Sequence, residues 1–441
     1  MTEHEAVDAA IERRFPEAVD FLTRLVATQS VNPLQPGVDG ARYAGGERAA
    51  NTVVADWFAR LGAETSWVAA DEERPNVVSV IAGSGGGRSL GFNAHIDTVA
   101  PQSDDAWTVR REGARLHGLG ATDMKGGHAA IWLALAALRD AGIALAGDVQ
   151  VHSVVGEETM SHELGTTAVI EAGFRPDAVV VAEPTSSAEL PGRIYNSAAG
   201  NYLFHLELEG RSTHWVNRAR AIRAGGEGDE IGVNAIDKAV YVYQAMRQLE
   251  EQWAFTKRHP AFPPGAFVLH PGVLRADVGF PSTPYFPDRA RIDYLLSFPP
   301  GETAEDVRAE VEGHIRLAER MDPWLREHPV SFTWTDTWPP SYTDPATDFV
   351  RAALDVRNDL SAEDPGIPRA PGAETASYQS DSAFYEAQGI PAVVCGPGDI
   401  TCAHAAEEWV DTDAVRSLAR YYARLMLDWC GRSLPVGPGG K

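Results

Sequence analysis

Hydrophobic positions recur at helical spacing over Ala6 to Ala27 and again over Gly46 to Leu61, so the chain opens with two amphipathic helices. Two runs, NVVSVIAG (Asn76 to Gly83) and RSLGFNAH (Arg88 to His95), then read as strands. A helix is predicted from about Gly127, with Ile131, Leu135 and Leu138 on one face and Gly142 as its stop. GDVQVHSVV and DAVVVAEP are short apolar runs rich in β-branched residues, the pattern of buried parallel strands. Strands alternating with helices predict a sheet covered on both faces.

Near Ser197 the pattern changes. NYLFHLELEG alternates as a half-buried strand, and VNAIDKAVYVYQAMRQLEEQW is a long amphipathic helix. GAFVLHPGVL and ARIDYLLSF read as strands, TAEDVRAEVEGHIRLAERM as a helix and HPVSFTWTDTW as a strand. That β-α-β-β-α-β order is the ferredoxin-like unit. After about Pro339 the first style resumes, with IPAVVCGPG as a strand and a closing helix from Asp411 to Cys430. The expected fold is therefore α/β with two domains. Residues 1–196 and 339–441 surround a mostly parallel sheet, 197–338 form an inserted α+β domain, and LPVGPGGK is a linker-like tail.

Charge and composition narrow the function. Lys+Arg number 38 against 62 Asp+Glu, so 38 − 62 gives a net charge of −24. Phosphate binding needs a concentrated basic surface, which argues against nucleic acid or an anionic membrane as partner. The longest strongly apolar run, AAIWLALAAL, is about half a membrane span. The acidic start MTEHEAVDAAIERRF lacks the apolar core of a secretory signal. Three cysteines, Cys395, Cys402 and Cys430, make no disulfide framework. A soluble, cytoplasmic protein is expected.

Five segments carry candidate chemistry, and four of them end predicted strands, where ligands bind in open α/β sheets. AHIDTVAP offers His95 as a metal ligand whose ring is oriented by the nearby carboxylate of Asp97, or as a hydrogen-bonded histidine beside a turn. Asp123 precedes Lys125-Gly126-Gly127 and a helix, as a ligand or as a helix cap. Glu157 and Glu158 are adjacent, so their side chains diverge: one carboxylate suits a metal and the other a base, unless both belong to a solvated loop. Glu183 ends VVVAEP before a turn, and His404 follows a Gly-Pro-Gly loop. Cys402 lies two residues before it, but an oxygen-rich set disfavours thiolate, and it reads as structural. Jointly, two histidines and several carboxylates without cysteine pairs suit zinc, cobalt or manganese.

In order and spacing these segments resemble the metallopeptidase and amidohydrolase family of acetylornithine deacetylase, succinyl-diaminopimelate desuccinylase, aminoacylase and carboxypeptidase G. The resemblance rests on H-x-D-T at His95, D-M-K-G-G at Asp123, G-E-E at Gly156 and E-P-T at Glu183. It extends over G-x-N-A-I at Gly232, G-I-P at Gly389 and G-P-G…A-H-A near His404. It implies two divalent ions, zinc foremost: Asp123 bridges them, His95 and Glu183 complete one, and Glu158 and His404 the other. It also implies that Asp97 orients His95 and that Glu157 is the general base. The inserted domain becomes a lid and dimerisation domain, whose His214 reaches a partner subunit's site in a homodimer and stabilises the oxyanion. Gly398, Asp381 and Arg275 are candidate substrate contacts.

The sequence departs from that family at several points. Leu119 and Leu295 stand where many relatives carry arginine, the latter one that holds a substrate carboxylate. Proline stands at position 284 in place of the usual asparagine, and Ala406-Glu407 replaces a common Pro-Asn. Arg211, Arg218 and Arg275 are possible substitutes, or solvated surface arginines. His162, in the long loop TMSHEL, either touches substrate or is a solvent-exposed loop histidine. The expected activity is hydrolysis of an N-acyl amino acid or related small amide, with a dipeptidase or carboxypeptidase as alternative and a non-catalytic amide-binding descendant behind them.

Overall fold

The computed structural model describes residues 2–186, 192–223, 225–364, 367 and 369–432; the LPVGPGGK tail lies outside them. The chain divides into two compact units, residues 1–198 with 341–441, and 199–340.

In the first unit, nine strands among the described residues form one sheet. Its centre is parallel: Val149–Val154, Leu90–His95, Val179–Pro184 and Ala392–Gly396 lie side by side. Antiparallel strands extend it on both flanks, Asn76–Ile81 beyond Val149–Val154 and Tyr195–Ala198 beyond Ala392–Gly396. Leu90–His95 and Val179–Pro184 are buried at every position, as suits strands covered on both faces. Because the central strands are parallel, their carboxyl ends share one edge. His95 there pairs with Val154, whose strand runs on towards Glu157 and Glu158.

Close packing places the turn before the Gly126–Asp140 helix against that edge. A Cβ at Gly127 would lie 2.7 Å from Cβ of Ala182, so only glycine lets this helix start next to the strand that carries Glu183. The helix is buried over nearly its whole length and packs against Glu3–Ala27 and Thr412–Cys430. A 16-residue helix, Asp348–Glu363, was not legible in the sequence. Its buried Phe349, Val350, Ala353, Val356 and Leu360 keep helical spacing, but the polar DVRNDLSAED stretch hides them.

Glu386, on the short Ser382–Glu386 helix, ties this helix to residues 342–343. It accepts from the Thr343 hydroxyl at 2.8 Å and from the Tyr342 N–H. Burial pushes its carboxyl from the ordinary 4.5 up to about 8. The folded chain therefore holds a proton there that the unfolded chain has released between about pH 4.5 and 8, so this group lowers stability as pH rises through that window. Glu386→Gln should flatten the dependence: urea midpoints at pH 5 and pH 8 should differ less in the variant than in wild type. An unchanged difference would refute the assignment.

The second unit is a four-stranded antiparallel sheet in the order Leu269–Asp277, Arg289–Phe298, Gly200–Glu209, Ser331–Trp338, which is the ferredoxin-like arrangement. Helices Ala235–Thr256 and Ala304–Glu319 cover one face around Phe204, Leu206, Ile292, Leu296 and Trp253. The other face carries Glu207, Glu209, Arg289, Arg291 and Leu295, which alternate with the buried positions.

Candidate metal centre

Five sequence-predicted ligands converge at the carboxyl edge of the central sheet. His95 Nε2 lies 3.0 Å from Asp123 Oδ1 and 3.5 Å from Glu183 Oε1. His404 Nε2 lies 3.3 Å from the other Asp123 oxygen, Oδ2, and 3.0 Å from Glu158 Oε2. Asp123 thus turns one oxygen towards each imidazole. Glu157 Oε2 stands 4.0 Å from His95 Nε2, on the side of Glu183. The adjacent acids diverge, Glu157 towards the His95 side and Glu158 towards His404.

Local backbone explains the divergence. Gly156 has φ +88°, and a Cβ on it would meet the Ser161 carbonyl at 2.5 Å, so glycine is required where the strand turns into the acid pair. His404 also has positive φ, +59°, which is costly for a residue with a Cβ and holds its ring towards Asp123 and Glu158.

Asp97 acts differently from the sequence expectation. The His95 ring is fixed by a hydrogen bond of 2.9 Å between Nδ1 and the Asp97 main-chain carbonyl, while the nearest carboxylate oxygen is 3.7 Å away. That bond leaves Nε2 as the free ligand nitrogen. The Asp97 carboxylate accepts instead from Asn32 Nδ2 at 2.8 Å and from the Glu158 N–H at 3.1 Å, so it anchors the acid loop. Nothing in the sequence marked Asn32.

The other candidates separate. Asp381 is buried, accepts from the Thr166 hydroxyl at 2.7 Å and is raised by burial to about 6. Gly398 follows the Ala392–Gly396 strand with φ +108° and bonds through its carbonyl to Ser186. His162 is not an exposed loop histidine: it is half-buried, stacks on Phe384 at 4.0 Å and bonds Thr167. His214, Arg275, Arg211 and Arg218 belong to the second unit. His214 and Arg275 are exposed there, Arg218 pairs with Asp237, and Arg211 donates to the Asp229 carbonyl. Cys402 is in neither group of metal-competent side chains among the described residues.

The donor set fits cations. Asp123, Glu157, Glu158 and Glu183 crowd two imidazoles, and buried Oε1 of Glu183 and Oδ1 of Asp97 have no hydrogen-bond partner among the described residues. Burial raises the Glu157 and Glu183 carboxyls well above their ordinary range. Burial opposes charge on His95 too, yet Glu183, Asp123 and Glu157 prevail and raise it. Hydrogen bonds to Asp123 and Glu158 push His404 up to about 11. Carboxylates that hold protons on these rings would hold divalent cations in their place. A cavity of about 450 Å³ opens beside His404, lined in part by Gln102, Arg110, His117, Leu119 and Glu408. Its Arg110 is already paired with Glu112 and Glu407.

The model of peptidase family M20/M25/M40 matches residues 91–428. The chain belongs to this family. It is similar to an N-formyl-4-amino-5-aminomethyl-2-methylpyrimidine deformylase of Halalkalibacterium halodurans, 31% identical over 375 residues, 81% of this chain and 83% of that protein. It is 24% identical to an acetylornithine deacetylase of Vibrio campbellii over 423 residues, 95% of this chain and all of that protein. In fold it resembles the YXEP protein of Bacillus subtilis, a dinuclear metal binding peptidase, with TM-score 0.65 and 17% identity over 94% of this chain and 98% of that one. The chain is a hydrolase of the M20 family with a site for divalent metal. No helix among its described residues is long and apolar enough to cross a membrane.

Proposed function

We propose that this enzyme removes a short acyl group, formyl foremost, from the amino group of a small compound with little negative charge. The observation that carries the reading is the paired imidazole–carboxylate cluster with a fifth acid, Glu157, beside it. His95, Asp123 and Glu183 would hold one cation, and Asp123, Glu158 and His404 a second, zinc in each case. When bound, such ions polarise an amide carbonyl and lower the pKa of water. Glu157 then takes a proton from the attacking water and returns it to the leaving amine. His214 is assigned to oxyanion stabilisation in a partner subunit's site of a cytoplasmic homodimer.

The substrate class rests on charge. Leucine stands at 119 and 295, where the family resemblance implies arginine, and Arg110, which lines the cavity, is paired with Glu112 and Glu407. An N-acyl amino acid would bring a carboxylate that these positions no longer meet; an N-formyl aminomethyl-heterocycle brings none. The relatives named deformylase support the same class.

A panel of N-formyl aminomethylpyrimidine, N-acetylornithine, other N-acetyl amino acids and dipeptides tests this. Formate release is expected to have the highest kcat/KM, by at least about tenfold, which corresponds to roughly 1.4 kcal/mol. Turnover confined to dipeptides or to N-acetyl amino acids would overturn the substrate class.

A further inference from the structure

Glu408 was not among the sequence candidates. It is 2% exposed, and it lies four residues beyond His404 in a loop that lines the cavity. Its Oε1 accepts the main-chain N–H of Thr122 at 2.9 Å and that of Asp123 at 3.2 Å. Around this joint, the Thr122 hydroxyl donates to the Trp409 carbonyl, and the Gly118 N–H donates to the Glu408 carbonyl at 3.0 Å. Trp409–Asp411 also pairs with Arg115–His117.

Two loops far apart in sequence are thereby laced together, one bearing His404 and the other Asp123. A buried carboxylate is a costly way to satisfy two N–H groups, because its charge must be desolvated. Its other oxygen, Oε2, is buried without a hydrogen-bond partner among the described residues, so the desolvation is only partly offset. The backbone of Gly120 and the buried Lys125 ammonium also act on this carboxylate. What the contact does supply is geometry: the accepted N–H belongs to the residue whose two carboxylate oxygens face the two imidazoles.

We propose that Glu408 is a positioning residue of the metal centre, which holds the Asp123 main chain so that its carboxylate spans two cations. The inference rests on the two-cation reading above. Residues behind metal ligands typically change metal affinity by about 10–100-fold when removed.

The test compares the full chain with Glu408→Ala, Glu408→Gln and Glu408→Asp, each loaded with Mn²⁺. Affinity is read by competition with a chelator, pairing of the ions by the exchange-coupled electron paramagnetic resonance signal, and folding by circular dichroism. Wild type should bind two ions with a coupled signal. Glu408→Ala should bind the second ion about 10–100-fold more weakly and lose the coupling at concentrations that saturate wild type. Glu408→Gln keeps an acceptor oxygen in place and should stay within a few-fold of wild type. Glu408→Asp, whose oxygens are drawn back by one methylene, should fall between them, and it decides the matter if Glu408→Ala does not fold. Folded Glu408→Ala or Glu408→Asp with wild-type affinity and coupling would overturn the inference alone. Failure of Glu408→Gln as complete as that of Glu408→Ala would overturn it too. A wild-type chain that never binds a pair of ions would overturn the two-cation reading and the inference together.

Discussion

Glu157→Gln is expected to lower kcat by about 10²–10⁴ while the bound metal stays at the wild-type level. The expectation follows from where the two adjacent acids point. Glu158 meets His404 at 3.0 Å, whereas Glu157 stands farther off, 4.0 Å from His95, in a group with His95 and Glu183. Glutamine keeps the size and loses the proton acceptor. The same substitution at Glu158 should remove metal as well as turnover, so metal analysis beside kcat separates the two residues. Near wild-type turnover in Glu157→Gln would end the assignment of the base.

The second large effect concerns Asp123. Asp123→Ala removes the side chain whose two oxygens lie 3.0 and 3.3 Å from the two imidazoles, and it should cut the bound metal from two ions to one or none and abolish turnover. Metal occupancy should also depend on pH with a definite sign. In the metal-free site His95 and His404 are raised above the ordinary imidazole range, so each ion must displace protons. Affinity should therefore increase as pH rises from about 6 to 8 and weaken as pH falls. Calorimetric titration of the stripped chain at several pH values checks this. Affinity that is flat with pH would contradict it.

Much of this was legible in the chain. Period-two and period-3.6 patterns marked the central strands and the ferredoxin-like unit, because each buries a face whose spacing the sequence must keep. The candidate site was legible because His95, Glu157, Glu158, Glu183 and His404 follow predicted strands that the parallel sheet brings to one edge, where Asp123 joins them from the turn before a helix. What escaped were the contacts that hold the site's side chains. Asn32, Thr166 and Glu408 are ordinary residues in polar stretches, and they act across 65, 215 and 286 positions of sequence. Asp97 was found, but its main-chain carbonyl and not its carboxylate fixes the His95 ring, a distinction that no residue letter encodes. The Asp348–Glu363 helix stayed hidden because its apolar stripe is broken by charged residues on the solvent side.

Two cations bridged by Asp123 are proposed to run the reaction. Metal-stripped enzyme titrated with zinc, with activity and bound metal read in the same samples, tests it most directly. Negligible turnover without metal, two ions per chain at saturation, and full activity only as the second site fills are expected. Full activity in a chain that binds no ion, or that saturates at a single ion, would contradict it.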